Sequence, residues 1–444
     1  LTATRPAPPP AADPALAHSV PAKVRRRLIP FMFVLYVVSY LDRINVGFAA
    51  LQMNEDLRFS PAVYGLGAGI FFLGYCLLEV PSNLILARVG ARRWIARIMI
   101  GWGFVSAGMM FVRTPASFYT LRFLLGVAEA GFFPGMILYL TYWFPAAERA
   151  RALALFMTST AMAGVIGGPL SGALLTLDGV GGLAGWQWLF LVEGLPAVLL
   201  GFVVLRWLPD GPHEARWLTP AERAWIAERL EAERAEKEAR RHYTLREALT
   251  NGRVLLLGLT YFGVTMGLYG IGFWLPQILK GLSLPGSFVL GLVSALPYLV
   301  AAVGMVAVAR HSDRTGERRW HVALSAFVGA AGLAASAAAQ SPALLLGAIC
   351  VAALGIWGAL GTFWTLPTAF LSGQAAAGAI ALINSVGNLG GFAGPYLVGL
   401  VRGDSSSFVG ALALLAGFLV LTGVLALLVE RPAAAPVPAP LGTG

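Results

Sequence analysis

The chain has 444 residues, of which 57% are hydrophobic and only 12% charged, with a mean hydropathy of +0.73. No soluble domain of ordinary composition has that balance, so the chain reads as an integral membrane protein. A formal net charge of +10 would suit nucleic acid, but the basic residues lie where anionic lipid explains them better.

Residues 1–27 are rich in Pro and Ala and read as a disordered tail, as do residues 431–444. The first apolar run, 28–50, is too long and too charged for a cleaved signal peptide. Further runs near 20 residues follow at about 61–86, 94–112, 117–140, 151–176, 186–208, 254–279, 286–309, 320–340, 342–364, 374–401 and 408–429, making twelve spans. After six of them the pattern stops at Leu208-Pro209-Asp210-Gly211-Pro212 and a charged stretch follows. The reading is therefore all-α, with two six-helix bundles at 28–208 and 254–430 joined by a linker at 209–253. In the linker, Thr219-Pro220-Ala221-Glu222 has the form of an N-cap, a first-turn proline and a capping glutamate. The i,i+4 pairs Glu233 to Lys237 and Glu236 to Arg240 imply a solvated surface helix.

Of the 32 Lys and Arg residues, 26 fall in the tails and alternate loops on one side. Four fall on the other: Arg58, Arg113, Lys280 and Arg402. By the positive-inside rule both termini are expected in the cytoplasm.

The remaining two are inside spans: Arg43, beside Asp42 in the first, and Arg122, seven residues before Glu129 in the fourth. A charge at bilayer depth costs at least about 2.5–3.5 kcal/mol on insertion scales, so such groups face a partner or a cavity. The two pairs are expected to meet, either as a substrate and proton pathway or as a structural ion-pair network. Glu79, two residues before Pro81, and Glu193 in the sixth span read as structural. Cys76 and Cys350 have no metal-binding or disulfide spacing. The five His residues sit in tails, loops or a helix end, so proton chemistry within the bilayer falls to carboxylates. No nucleophile, metal or cofactor motif points to an enzyme, and no cofactor is expected. In the fifth span Gly164, Gly167, Gly168 and Gly172, with Pro169, would admit close helix approach.

The halves echo each other in the loop after their second spans, as Arg88-Val89-Gly90-Ala91-Arg92-Arg93 and Arg314-Thr315-Gly316-Glu317-Arg318-Arg319. A tight glycine turn with basic residues at a helix end can pair with carboxylates or helix C-termini, so Arg88, Gly90, Arg92, Asp313, Arg314 and Gly316 are candidate gating residues. Repeated halves suit alternating access around a midplane site.

Here the chain resembles the major facilitator superfamily, whose loop signature is G-x-x-x-D-R-x-G-x-R-R. The second copy matches through Asp313-Arg314-Thr315-Gly316; the first departs, with Ala87 where the acid belongs and Asn83 where the glycine belongs. Four stretches resemble, more specifically, the anion:cation symporter family, which includes bacterial carboxylate and sugar-acid permeases and vesicular glutamate transporters. They are SYLDRINV (39–46), RFLLGVAEAGFFPG (122–135), WQWLFLVEGLPA (186–197) and NSVGNLGGFAGP (384–395). The resemblance runs from about residue 28 to 430.

It implies that Arg43, whose planar fork matches a carboxylate, binds substrate, and that Asp42 and Glu129 couple protons. Arg122 would hold Glu129 charged or serve structurally. Tyr40, Tyr75, Trp364 and Asn384 would line the cavity, with Thr160 where sugar-acid permeases tend to have an amide. Asn388, one turn after Asn384, could serve instead or as well. The seventh span lacks the second cavity arginine of glutamate-transporting relatives, which favours a monoanion. The expectation is a monomeric, proton-coupled symporter in the bacterial inner membrane. It would import a small monocarboxylate, aromatic acid or hydroxy or sugar acid. The alternatives are a proton-driven exporter of organic anions or drugs, and a non-transporting sensor.

Overall fold

In the computed structural model the described residues are 14–239, 251–370, 373–403, 405 and 407–429. The expected tail at 431–444 and the two i,i+4 linker pairs fall outside the described side chains. The longer elements, all α-helices, are α1 (Pro14–Asp56), α2 (Pro61–Val89), α3 (Ala91–Gly108), α4 (Pro115–Glu129), α5 (Phe132–Thr141), α6 (Ala146–Met157), α7 (Ser159–Leu175) and α8 (Gly185–Trp207). After the linker helix α9 (Pro220–Ala239) come α10 (Gly252–Lys280), α11 (Gly286–Thr315), α12 (Arg319–Ala338), α13 (Pro342–Phe363), α14 (Thr365–Phe370), α15 (Gly373–Arg402) and α16 (Val409–Leu428).

Ten helical stretches among the described residues are long and apolar enough to cross a membrane. The other two expected spans are the broken pair α6–α7 and the helix α15, so twelve crossings form two groups of six on either side of α9. Large apolar side chains such as Leu199, Phe202, Val303 and Leu344 stand exposed on outward faces, as lipid contact requires. Helix starts follow local chemistry. Ser60, Thr114 and Ser341 each accept a backbone N–H three residues on, and each precedes a proline at the first helical position.

Residues 14–27 depart from the disorder expected of them, because α1 already begins at Pro14. Val20, Val24 and Leu28 recur at helical spacing and are fully buried. Lys23 Nζ lies 2.7 Å from Glu222 on α9. Three residues on one face decide the conformation where average composition pointed the other way.

The linker helix has the predicted capping box: Thr219 Oγ1 accepts from Glu222 N–H at 3.2 Å, and Glu222 accepts from Thr219 N–H at 2.8 Å. It is less solvated than expected, since Trp225 and Ile226 are buried and Glu233 pairs with Arg149 at 3.0 Å.

The halves pack along α2 with α15, α7 with α11 and α1 with α10. The closest approaches lie at the end away from the linker. A Cβ on Gly65 would stand 2.6 Å from Pro395 O, one on Gly168 2.4 Å from Gly291 O, and one on Gly172 2.6 Å from Ser287 O. That spacing is what the fifth-span glycines predicted. Lys280 to Glu55 and Tyr64 Oη to Phe273 O (2.7 Å) add polar ties at the same end.

Candidate functional site

Three spans break at or beside a candidate residue. The fourth stops at Glu129, the last residue of α4, and Gly131 turns the chain at φ +84° before α5 begins. A side chain there would enter the left-handed region and meet Ser82 Oγ at 2.2 Å. The fifth breaks at Thr158, two residues before Thr160, and the tenth at Trp364 itself. Interrupted helices at membrane depth are tolerated only inside protein or along a cavity, and transporters build substrate and ion sites from them.

Of the four residues in the two expected pairs, Arg43 and Glu129 come together. Arg43 Nη2 donates to Glu129 Oε1, and Ser39 Oγ, one turn before Arg43, donates to the same oxygen at 2.7 Å. Arg43 Nη1 donates to Tyr269 Oη of the other half at 3.0 Å. The guanidinium lies against Phe71 and Tyr75, 5.2 and 5.4 Å from their ring centroids, while its Nε is buried with no hydrogen-bond partner. Both ends of the pair are buried, Arg43 at 5% and Glu129 at 1% exposure.

Arg122 does not hold Glu129, which corrects the first of the two expectations for that residue and leaves the structural one. Seven residues amount to roughly 10 Å of rise, and between them Gly126 packs so tightly on α2 that a Cβ would sit 1.9 Å from Phe71 O. Arg122 instead donates to the carbonyls of Gly67 (3.2 Å) and Ala68 (3.0 Å). Its Cζ lies 5.1 Å from the Phe71 centroid, so both buried guanidiniums contact that ring.

Asp42 also turns away from the Arg43 pair. Successive helical residues point about 100° apart, and Asp42 faces α3, where Trp102 Nε1 and Ser106 Oγ each donate to it at 2.8 Å. Glu193 accepts from Ser171 Oγ at 2.7 Å in the same half.

Among the proposed lining residues, Tyr75 faces Arg43, and Tyr40 is buried with its ring 6.4 Å from that of Tyr36. The Trp364 ring meets Tyr261 edge-on at 4.9 Å. Thr160 donates to its own backbone at Met157 O, 2.9 Å away, which turns its hydroxyl proton inward on the helix. Asn384 and Asn388 both donate to Glu79 across the boundary between the halves, Asn388 at 3.4 Å. Glu79, which reads as structural, thus lies beside two of the proposed lining residues, one turn after Tyr75 on the same face.

Both repeated loops turn at a glycine with positive φ, but the turns differ: Gly90 has φ +97° and ψ 149°, whereas Gly316 is left-handed helical at φ +68° and ψ -3°. The carboxylate that the first loop lacks at Ala87 comes from the linker. Asp210 accepts from Arg92 N–H at 2.7 Å and pairs with its guanidinium at 3.5 Å. In the second loop Asp313 pairs with Arg318 at 2.6 Å, and Arg88 and Arg314 are exposed.

Comparison with known proteins agrees with this architecture. A relative from Agrobacterium vitis with the provisional name of tartrate transporter is 51% identical over 94% of this chain and 94% of its own. A quinolone resistance transporter from Acinetobacter baumannii is 45% identical over 85% of this chain and 87% of its own. The crystal structure of a bacterial homolog of the human lysosomal transporter Spinster, in an inward-facing and occupied conformation, superposes with a TM-score of 0.70. It does so at 18% identity, over 91% of this chain and 95% of that one. A sequence profile of the Major Facilitator Superfamily matches residues 32–395, and the chain belongs to that family, one of transporters and not of enzymes.

Proposed function

We propose that this transporter carries a small organic anion together with protons, by exchange of partners on Arg43. The observation that supports this most strongly is the buried Arg43–Glu129 pair, tied by Tyr269 to the opposite half. A guanidinium engaged by Glu129 is not free to take a substrate carboxylate. Protonating Glu129 removes the competitor, and the arriving carboxylate then supplies the buried cation with its counter-charge.

The charge balance leads the same way. Two buried arginines, Arg43 and Arg122, face four buried carboxyl groups, Asp42, Glu79, Glu129 and Glu193, so an added anion deepens an acidic excess unless a proton enters with it. Asp42, held by Trp102 and Ser106, is the second proton site. The substrate is a monocarboxylate, aromatic acid or hydroxy or sugar acid, consistent with a seventh span that has no Lys or Arg between residues 254 and 279. The relatives named for tartrate transport lend weight to a hydroxy acid, and since tartrate has two carboxylates they do not favour the monoanion within this set. Both termini face the cytoplasm of a bacterial inner membrane, and the protein works as a monomer.

Uptake of labelled carboxylates into proteoliposomes, with and without an inward proton gradient, tests this reading. Accumulation of at least one acid only with the gradient is the expected result. The quinolone-resistance relative favours a second reading, proton-driven export. In that case an imposed gradient would drive solute out through the carrier against the incoming protons.

A further inference from the structure

The Glu79 carboxylate lies at the boundary between the halves without a cation. It is 4% exposed, and among the described residues no Lys, Arg or His pairs with it. Its partners are the side-chain amides of Asn384 and Asn388, one turn apart on α15. Beside it Cys76 Sγ approaches Ser385 O at 3.8 Å, so α2 and α15 touch along this stretch. Tyr75, one turn earlier on α2, faces the Arg43 guanidinium and joins this locus to the carboxylate-binding cation.

A latch between two helices needs no charge; an amide or a hydroxyl would serve, without the penalty of a buried carboxylate. The carboxylate is, however, the strongest acceptor a protein can offer to hydroxyl protons. Two amide bonds use about half of its roughly four acceptor positions, and the amides also have oxygens of their own. A polyol chain needs this mixture of acceptors and donors. The two halves must separate here for any solute to pass, which frees the groups of this trio to take up new partners from the cavity.

We propose that Glu79, with Asn384 and Asn388, is a hydroxyl-recognising subsite that selects hydroxylated acids over their deoxy counterparts. The substrate carboxylate lies on Arg43 and its hydroxyl groups donate to Glu79. This rests on the anion-carrier reading above and adds the substrate's second recognition element.

The test is competition for gradient-driven uptake by matched three-carbon acids with two, one and no hydroxyl groups: glycerate, lactate and propionate. It compares wild type, Glu79→Gln and Asn388→Ser, with tryptophan-fluorescence titration of the same acids reporting binding where transport is lost. Wild type should prefer the acids in that order. Both variants should narrow the glycerate-to-propionate ratio by about 10-fold or more, the worth of one hydrogen bond to a charged group. An unchanged ratio in correctly folded variants, with all acids weakened alike, would reduce the trio to a latch and overturn the proposal. So would a wild type indifferent to hydroxyls; if its uptake of plain acids still depended on Arg43, the anion-carrier reading would survive. Binding of none of the acids, with Arg43→Ala making no difference, would end both.

Discussion

At the scale of single residues, the chemistry is concentrated in a buried cation with two acceptors, Glu129 and Tyr269, the first of them also held by Ser39. Glu129, Ser39 and Tyr269 fix the Arg43 network, and the aromatic faces of Phe71 and Tyr75 cover what remains of the guanidinium. Removing only one charge of such a pair leaves the other buried and unpaired, at about 3–5 kcal/mol, whereas neutralising both is often close to neutral. The Arg43→Gln/Glu129→Gln double variant should therefore fold nearly as stably as wild type, by thermal unfolding in detergent, yet lose at least about 100-fold in acid uptake. Wild-type uptake by that variant would mean that the pair is structural. For Arg122, whose guanidinium holds two carbonyls of α2, Arg122→Met should destabilise by the loss of two charge-assisted hydrogen bonds, each worth about 1.5–3 kcal/mol, while the carbonyls keep their helical N–H partners.

At the scale of elements, the breaks shape the site. Gly131→Val would force a left-handed backbone on a β-branched residue and drive its side chain into Ser82, so a loss of about 2–5 kcal/mol is expected in the same unfolding assay. These features also show how far the sequence could be read. The Asp42–Arg43 and Arg122–Glu129 pairs were visible because a charge in an apolar run is too costly to be accidental, and the twelve spans because their apolar runs are long enough to cross a bilayer. The partners of those charges were not visible. Arg43 and Glu129 are 86 residues apart, Glu79 and Asn384 are 305 apart, and Arg92 finds its carboxylate 118 residues on at Asp210. The breaks escaped notice too, since Gly131 looks like any small packing residue until its φ is known. The helix at 14–27 was missed because three buried residues outweighed a Pro- and Ala-rich composition.

At the scale of the molecule, the halves are pressed together at the end away from the linker by backbone contacts that only glycine allows. Gly291→Leu should wedge α7 from α11, since a Cβ at that position would already lie 2.2 Å from Gly168 O. A cysteine placed at Ser287 should then react with an impermeant thiol reagent several-fold faster than in the wild-type background. At the other end the Lys23–Glu222 contact ties α1 to the linker. The slight burial of Glu222 would raise its carboxyl pKa, but hydrogen bonds from Lys23 and Thr219 outweigh this and hold it below the usual range. That tie is therefore in place at neutral pH and is lost as pH falls through the lowered value. Because the Lys23 end of the pair is 41% exposed, solvent screens it, so its contribution is small and shrinks with salt.

The exchange of partners on Arg43 is tested most directly by Glu129→Gln in proteoliposomes, measuring gradient-driven accumulation and substrate-for-substrate counterflow of the same labelled acid. Glutamine mimics the protonated glutamate and leaves Arg43 free for substrate, so counterflow should persist while accumulation driven by the proton gradient falls well below wild type, with Asp42 as the remaining proton site. Full gradient-driven accumulation in this variant would contradict the account, because the proton would then have to travel without Glu129.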